Sequence, residues 1–154
     1  MNAKTTLHQL TFIVFSELFA VCRLDHNVAI PAWVSAGTIF SITRTADELS
    51  IVCPQILVPD AIQCEQGWRC LRVAGTMEFS MVGVVASLSQ PLADAGIGIF
   101  VTSTFDTNYL LVKENDLEKA VVALRAAGHA VELKILETGD PGQRTFEHVI
   151  TSQS

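Results

Sequence analysis

The sequence predicts an α+β protein built on a ferredoxin-like βαββαβ sandwich, and three observations carry that expectation. The C-terminal half runs strand, helix, strand, strand, helix, strand when read by hydrophobic period. Glycines, Gly96 and Gly128, stand where both helices should stop. The two middle strands are separated by Ser103 to Thr107 (STFDT), a hairpin loop of ordinary length.

Arg69 to Gly75 (RCLRVAG) alternates as a strand, with Leu71 and Val73 on one side. A helix is expected from Ser80 to Ala95, because Val82, Val85, Leu88 and Leu92 fall on one face. Ser80 is its expected N-cap, and Pro91 should kink or interrupt it by clashing with the preceding turn. Ile97 to Thr102 and Asn108 to Lys113 read as strands. Asp116 to Ala127 reads as a second helix with Leu117, Val121 and Leu124 inward. Asn115 and Glu118 have the spacing of a capping box. Val131 to Leu136 alternates apolar with Glu132 and Lys134 and completes the unit. Its sheet should be antiparallel, with both helices on one face and the other face left to be covered.

The N-terminal half reads as a smaller unit of similar type. Leu7 to Phe15, Phe19 to Leu24, Thr38 to Thr43 and Leu49 to Cys53 have strand character, and Pro31 to Ala36 one or two helical turns. Thr45 and Glu48 can cap a short helix between the last two strands. With Pro54 to Pro59 as the linker, the expected organisation is residues 1–60, residues 61–137, and a tail over residues 138–154.

Composition narrows the function. The 154 residues carry 10 Lys+Arg against 16 Asp+Glu, a net charge of −6. A chain so acidic is a poor phosphate neutraliser, so no nucleic-acid partner is expected. Charged residues make up 17%, against roughly 25% in ordinary globular domains. Few charges, and sheets covered on one face, together predict a homo-oligomer, in the first place a homodimer. The apolar run Leu10 to Cys22 is too short and, with Glu17, too polar to span a bilayer, so no membrane partner is expected. No secretory signal is evident, and Cys22, Cys53, Cys64 and Cys70 lack CxxC spacing; both point to reduced thiols in the cytoplasm.

Catalytic chemistry is absent from the motifs. His8, His26, His129 and His148 are scattered, as surface or turn histidines are, and lack the paired spacing of metal ligands. There is no G-x-S-x-G elbow and no phosphate loop, so no catalytic residue, metal or cofactor is expected. One constellation remains. Phe79 to Val84 (FSMVGV) leads from a strand into a helix N-terminus, whose free N–H groups suit a carboxylate. Gly83 would admit a close approach, and alanine in its place, inside a helix, should stabilise by up to about 1 kcal/mol. On the neighbouring loop Asp106 offers charge for an ammonium, while Ser103, Thr104 and Asn108 offer hydrogen bonds. Together these match an α-amino acid. The loop is equally readable as a plain hairpin turn, with Asp106 bonding its own backbone.

Four blocks, SITRTADELSIVCP, WRCLRVAG, FSMVGVVASLSQPLADAGI and STFDTNYLLVKENDLEKA, resemble the small bacterial ACT-domain proteins, which are related to the ACT modules of the CASTOR arginine sensors. The resemblance spans Phe19 to Leu136 and implies two ACT or ACT-like units that bind amino acids at paired modules. Carried onto this chain, the contacts it implies are Met81, Val82 and Gly83 on the strand-to-helix turn, with Thr104, Phe105, Thr107 and Asn108 beyond. One departure stands out: where close relatives show S-T-F-D-T-D-Y, the second aspartate is Asn108 here. An amino-acid-binding regulatory module is the leading reading. A structural or oligomerisation module without a ligand is the alternative, and an enzyme would need a perturbed acid or thiol in a cleft.

Overall fold

The computed structural model of the chain describes residues 8–75 and 81–134. Seven strands and two α-helices follow in the order β1 (Thr11–Leu24), β2 (Ser41–Arg44), β3 (Leu49–Pro54), β4 (Cys64–Val73), α1 (Val84–Asp94), β5 (Ile99–Ser103), β6 (Asn108–Lys113), α2 (Leu117–Ala126) and β7 (Ala130–Lys134). The described residues form two compact units, one of Glu17–Arg69 and the other of residues 8–16, 70–75 and 81–134. Both β1 and β4 therefore contribute residues to both units, and the expected linker Pro54 to Pro59 falls inside one of them. The expected cap Ser80, residues beyond Lys134 in the last strand, and the tail lie outside the described residues.

The larger unit keeps the expected βαββαβ order, from β4 to β7, with one departure. Residues of β1 lie between β4 and β7, giving the order β7-β1-β4-β6-β5. β5 and β6 are antiparallel, whereas β1 and β7 run parallel from Thr11↔Ala130 to Phe15↔Lys134. The insertion is held from both sides at its start. Ala74 N–H donates to the Thr11 carbonyl at 2.8 Å, and Ala130 N–H to the Leu10 carbonyl at 2.9 Å. Its core gathers Phe12 and Val14 from β1, Leu71 and Val73 from β4, Leu88 and Leu92 from α1, Leu110 from β6 and Leu124 from α2.

Both helices begin later than their periodicity implies. α1 starts at Val84, and its N-cap is Gly83 in a left-handed conformation, φ 86° and ψ 7°. The buried face is consequently Val84, Ser87, Leu88 and Leu92, while Val82 is 78% exposed and Val85 46%. α2 follows a 3-10 turn, Glu114–Asp116; its N-cap is Asp116, with no side-chain cap bond, so the box expected at Asn115 and Glu118 does not form. Gly96 (φ 72°) and Gly128 (φ 94°) end the helices as expected. Lys134 is a further surprise: it is buried, with its ammonium 5.2 Å from the Phe15 ring centroid.

Pro91 lies inside α1 without ending it. A proline there removes the N–H that would donate to the Ser87 carbonyl four residues earlier. His129 supplies the missing donor. Its Nε2 lies 2.9 Å from the Ser87 oxygen, while Nδ1 accepts the Leu10 N–H at 3.0 Å. The ring is thus the Nε2–H tautomer, buried, and edge-on to Phe12 with centroids 5.5 Å apart. His129 is not the surface or turn histidine its isolation in sequence suggested.

In the smaller unit β2, β3, β1 and β4 pair in that order. The Thr45–Glu48 segment is a hairpin turn and not a helix. Thr45 Oγ1 accepts the N–H groups of Asp47 and Glu48, each at 3.1 Å. Ala32–Ala36 forms a 3-10 helix. The core is Ala20, Cys22, Val34, Leu49, Ile51 and Cys53, with Trp33, Ile42 and Cys64 packed against it.

Three of those side chains are thiols in contact. Hydrogen bonding to Cys53, and then burial, push the Cys22 thiol up, and the same bond pulls Cys53 down. Burial, followed by the charge of Cys22, raises Cys64. Cys64 alone of the four free cysteines is partly exposed. An aromatic disulfide reagent should therefore find one fast thiol in the native chain, and all four in urea. Because the Cys64 pKa is raised, its half-maximal rate should fall at a pH above the ~8.5 of a free cysteine. Loss of the fast thiol in Cys64→Ser checks the assignment; two or more fast native thiols would contradict it.

Candidate functional site

The turn into α1 and the β5–β6 hairpin come together around a cleft of about 470 Å³. Met81, Gly83, Val84, Val85 and Ala86 line one side, and Ser103, Thr104, Phe105, Thr107 and Asn108 the other. On the helix side the first intrahelical bond is Ser87 N–H to the Gly83 carbonyl, at 2.9 Å. Among the described residues no side chain caps the first turn, since the capping residue is glycine. Its N–H groups therefore keep their positive potential for a ligand. His8 steadies the approach: its Nε2 bonds the Val82 carbonyl at 2.7 Å, and its backbone N–H donates to Ser87 Oγ at 2.9 Å.

On the hairpin side each hydroxyl has a defined task. Thr104 Oγ1 accepts the Thr107 N–H at 3.2 Å and donates to the Thr107 carbonyl at 3.1 Å, so Thr104 and not Asp106 closes the turn. Thr107 Oγ1 donates to the Val73 carbonyl at 2.6 Å, which ties the hairpin to the end of β4. Ser103 and Asn108 face each other in the ladder, and Ser103 Oγ donates to Asn108 Oδ1 at 2.6 Å. Asn108 and Thr107 are buried, whereas Phe105 is 77% exposed at the rim.

Of the residues singled out from sequence, Met81, Gly83, Ser103, Thr104, Phe105, Thr107 and Asn108 all line this cleft. Val82 and Asp106 do not, and Asp106 is exposed at the loop tip. Sequence reasoning missed Val84, Val85 and Ala86 as lining residues, which form the first turn because α1 starts at Val84. None of the described lining side chains is ionisable.

A second cleft, about 690 Å³, is bordered by His8, Gln9, Ser87, Gln90, Asp94, His129 and the alanines of α2. Its chemistry is already engaged. Both His129 nitrogens are bonded, His8 Nε2 is bonded, and Gln90 Nε2 donates to Asp94 Oδ1 at 2.8 Å. Among the described residues no cluster of His, Cys, Asp or Glu could hold a metal, and no helix is long and apolar enough to cross a membrane.

Residues 63–126, which include α1, β5, β6 and both sides of the cleft, match the family model of the ACT domain. That stretch is similar to ACT domains. Residues 17–61, preceding it, match a separate family model of an N-terminal domain. The chain is similar to protein Atu0741 from Agobacterium tumefaciens, at 41% identity and a TM-score of 0.80, over 86% of this chain and 99% of that one. More distant is VC0802 of Vibrio cholerae, a protein of unknown function, at 16% identity and a TM-score of 0.63, over 77% and 90% of the two chains. The ligand-free regulatory subunit of aspartate kinase from Thermus thermophilus shares the fold at 10% identity and a TM-score of 0.56, over 79% and 99%.

Proposed function

We propose that this protein is a non-catalytic regulatory module whose ACT domain binds a free amino acid in the cleft between the α1 turn and the β5–β6 hairpin. The observation that carries the reading is the first turn of α1, to which its glycine N-cap brings no side-chain bond, opening into a cleft of about 470 Å³ whose described lining is largely apolar, with polar groups at Ser103, Thr104, Thr107 and Asn108 and no ionisable side chain. Such a turn suits a carboxylate, and hydroxyl and carbonyl oxygens of the hairpin suit an ammonium. Asp106, exposed at the loop tip, adds only screened attraction. The fold shared with a regulatory subunit of aspartate kinase fits the same reading. So does the apolar rim of Val82, Val85 and Phe105, which a second copy would cover in a homodimer.

A thermal-shift screen of the whole chain against the twenty amino acids tests this. A ligand that binds only the native state adds ~2.7 kcal/mol at one hundred times its Kd. One amino acid, or a related few, should raise the melting temperature. In sedimentation the chain should weigh about twice its 16.7 kDa. No shift with any amino acid, from a sound dimer, would leave the structural module as the better reading.

A further inference from the structure

The polar groups of the cleft that remain uncommitted within the protein differ in kind from those that are spent. Asn108 is 8% exposed, and its Oδ1 is occupied by the Ser103 hydroxyl at 2.6 Å. Among the described residues nothing accepts from its Nδ2, and Asn108 lines the cleft. The Thr104 and Thr107 hydroxyls are engaged within the hairpin and with Val73. Among the described residues the donors left for a ligand are the first N–H groups of α1 and the amide of Asn108, while the hairpin hydroxyls, their protons spent, can only accept.

We propose that the bound amino acid has a side chain ending in an oxygen acceptor, a carboxylate or carboxamide, and that Asn108 selects it by donating from Nδ2. This rests on the amino-acid reading above. With the α-carboxylate on the α1 turn, the side-chain oxygen completes the bonds of a nearly buried amide. A lysine or arginine side chain reaching Asn108 would set a cation against its N–H donors, with no counter-charge among the described lining residues. A leucine side chain would fill space but strand the Nδ2 donors without water or partner.

Calorimetry on the full chain with aspartate, asparagine, glutamate, glutamine, leucine, lysine and arginine, for wild type and Asn108→Asp, tests the assignment. The wild type should bind one of the first four at least tenfold more tightly than leucine, lysine or arginine. Asn108→Asp, which has acceptors where the amide had donors, should lose at least tenfold for that ligand and gain for lysine or arginine. A wild type that binds leucine, lysine or arginine most tightly overturns the selectivity and leaves the amino-acid reading standing. So does an Asn108→Asp variant that folds and keeps the wild-type ranking. Absence of binding by every amino acid overturns both. Should the variant not fold, the wild-type ranking decides alone.

Discussion

His129→Phe is expected to lower the unfolding free energy by about 2–6 kcal/mol, since it leaves two buried backbone groups without partners at about 1–3 kcal/mol each. The ring and its edge contact with Phe12 are preserved, so packing loss is small. The Leu10 N–H loses its acceptor, and the Ser87 carbonyl loses the donor that stands in for Pro91. At roughly 2–4 °C per kcal/mol for a chain of this size, the melting temperature should fall by several degrees or more. Pro91→Ala restores the helical N–H and should rescue part of the loss. In a double-mutant cycle Pro91→Ala should gain about 1 kcal/mol more in the His129→Phe background than in wild type. Strict additivity would show that His129 does not substitute for the missing helix donor.

That pairing explains one failure of sequence reasoning. A proline inside a helical pattern is a local signal, and the group that neutralises its effect arrives from the α2–β7 connection. Nothing near Pro91 announces it. Where signals were local they held: Gly96 and Gly128 take positive φ and end their helices, and β6 begins at Asn108 as expected. From sequence β1 reads as two strands because its alternation breaks around Val14 to Glu17, yet it runs unbroken from Thr11 to Leu24. The insertion of β1 beside β7 was equally illegible, because strand order depends on long-range pairing that hydrophobic period does not encode. In the site, both segments were legible from turn chemistry. What was not legible was burial, which separates the exposed Asp106 from the nearly enclosed Asn108 two residues on.

Gly83 carries the second large effect, with a sign opposite to the sequence expectation. As a residue within a helix it should have gained from substitution by alanine. As an N-cap at φ 86° it sits where an L side chain crowds the backbone. Gly83→Ala should therefore destabilise by about 1–2 kcal/mol, the usual strain of a non-glycine residue in the left-handed region. Gly83→Asn should lose clearly less, because asparagine tolerates that region and its side-chain oxygen can also cap the first turn. Denaturation midpoints of the three proteins give the order glycine, asparagine, alanine. An alanine variant as stable as wild type would mean that the turn relaxes without cost and that glycine is not required there. The asparagine variant then separates folding from binding. It should keep the fold while placing its own oxygen on the N–H groups that a ligand carboxylate would occupy. Amino-acid binding should fall at least tenfold in Gly83→Asn at nearly native stability, whereas undiminished binding would place the carboxylate away from the α1 turn.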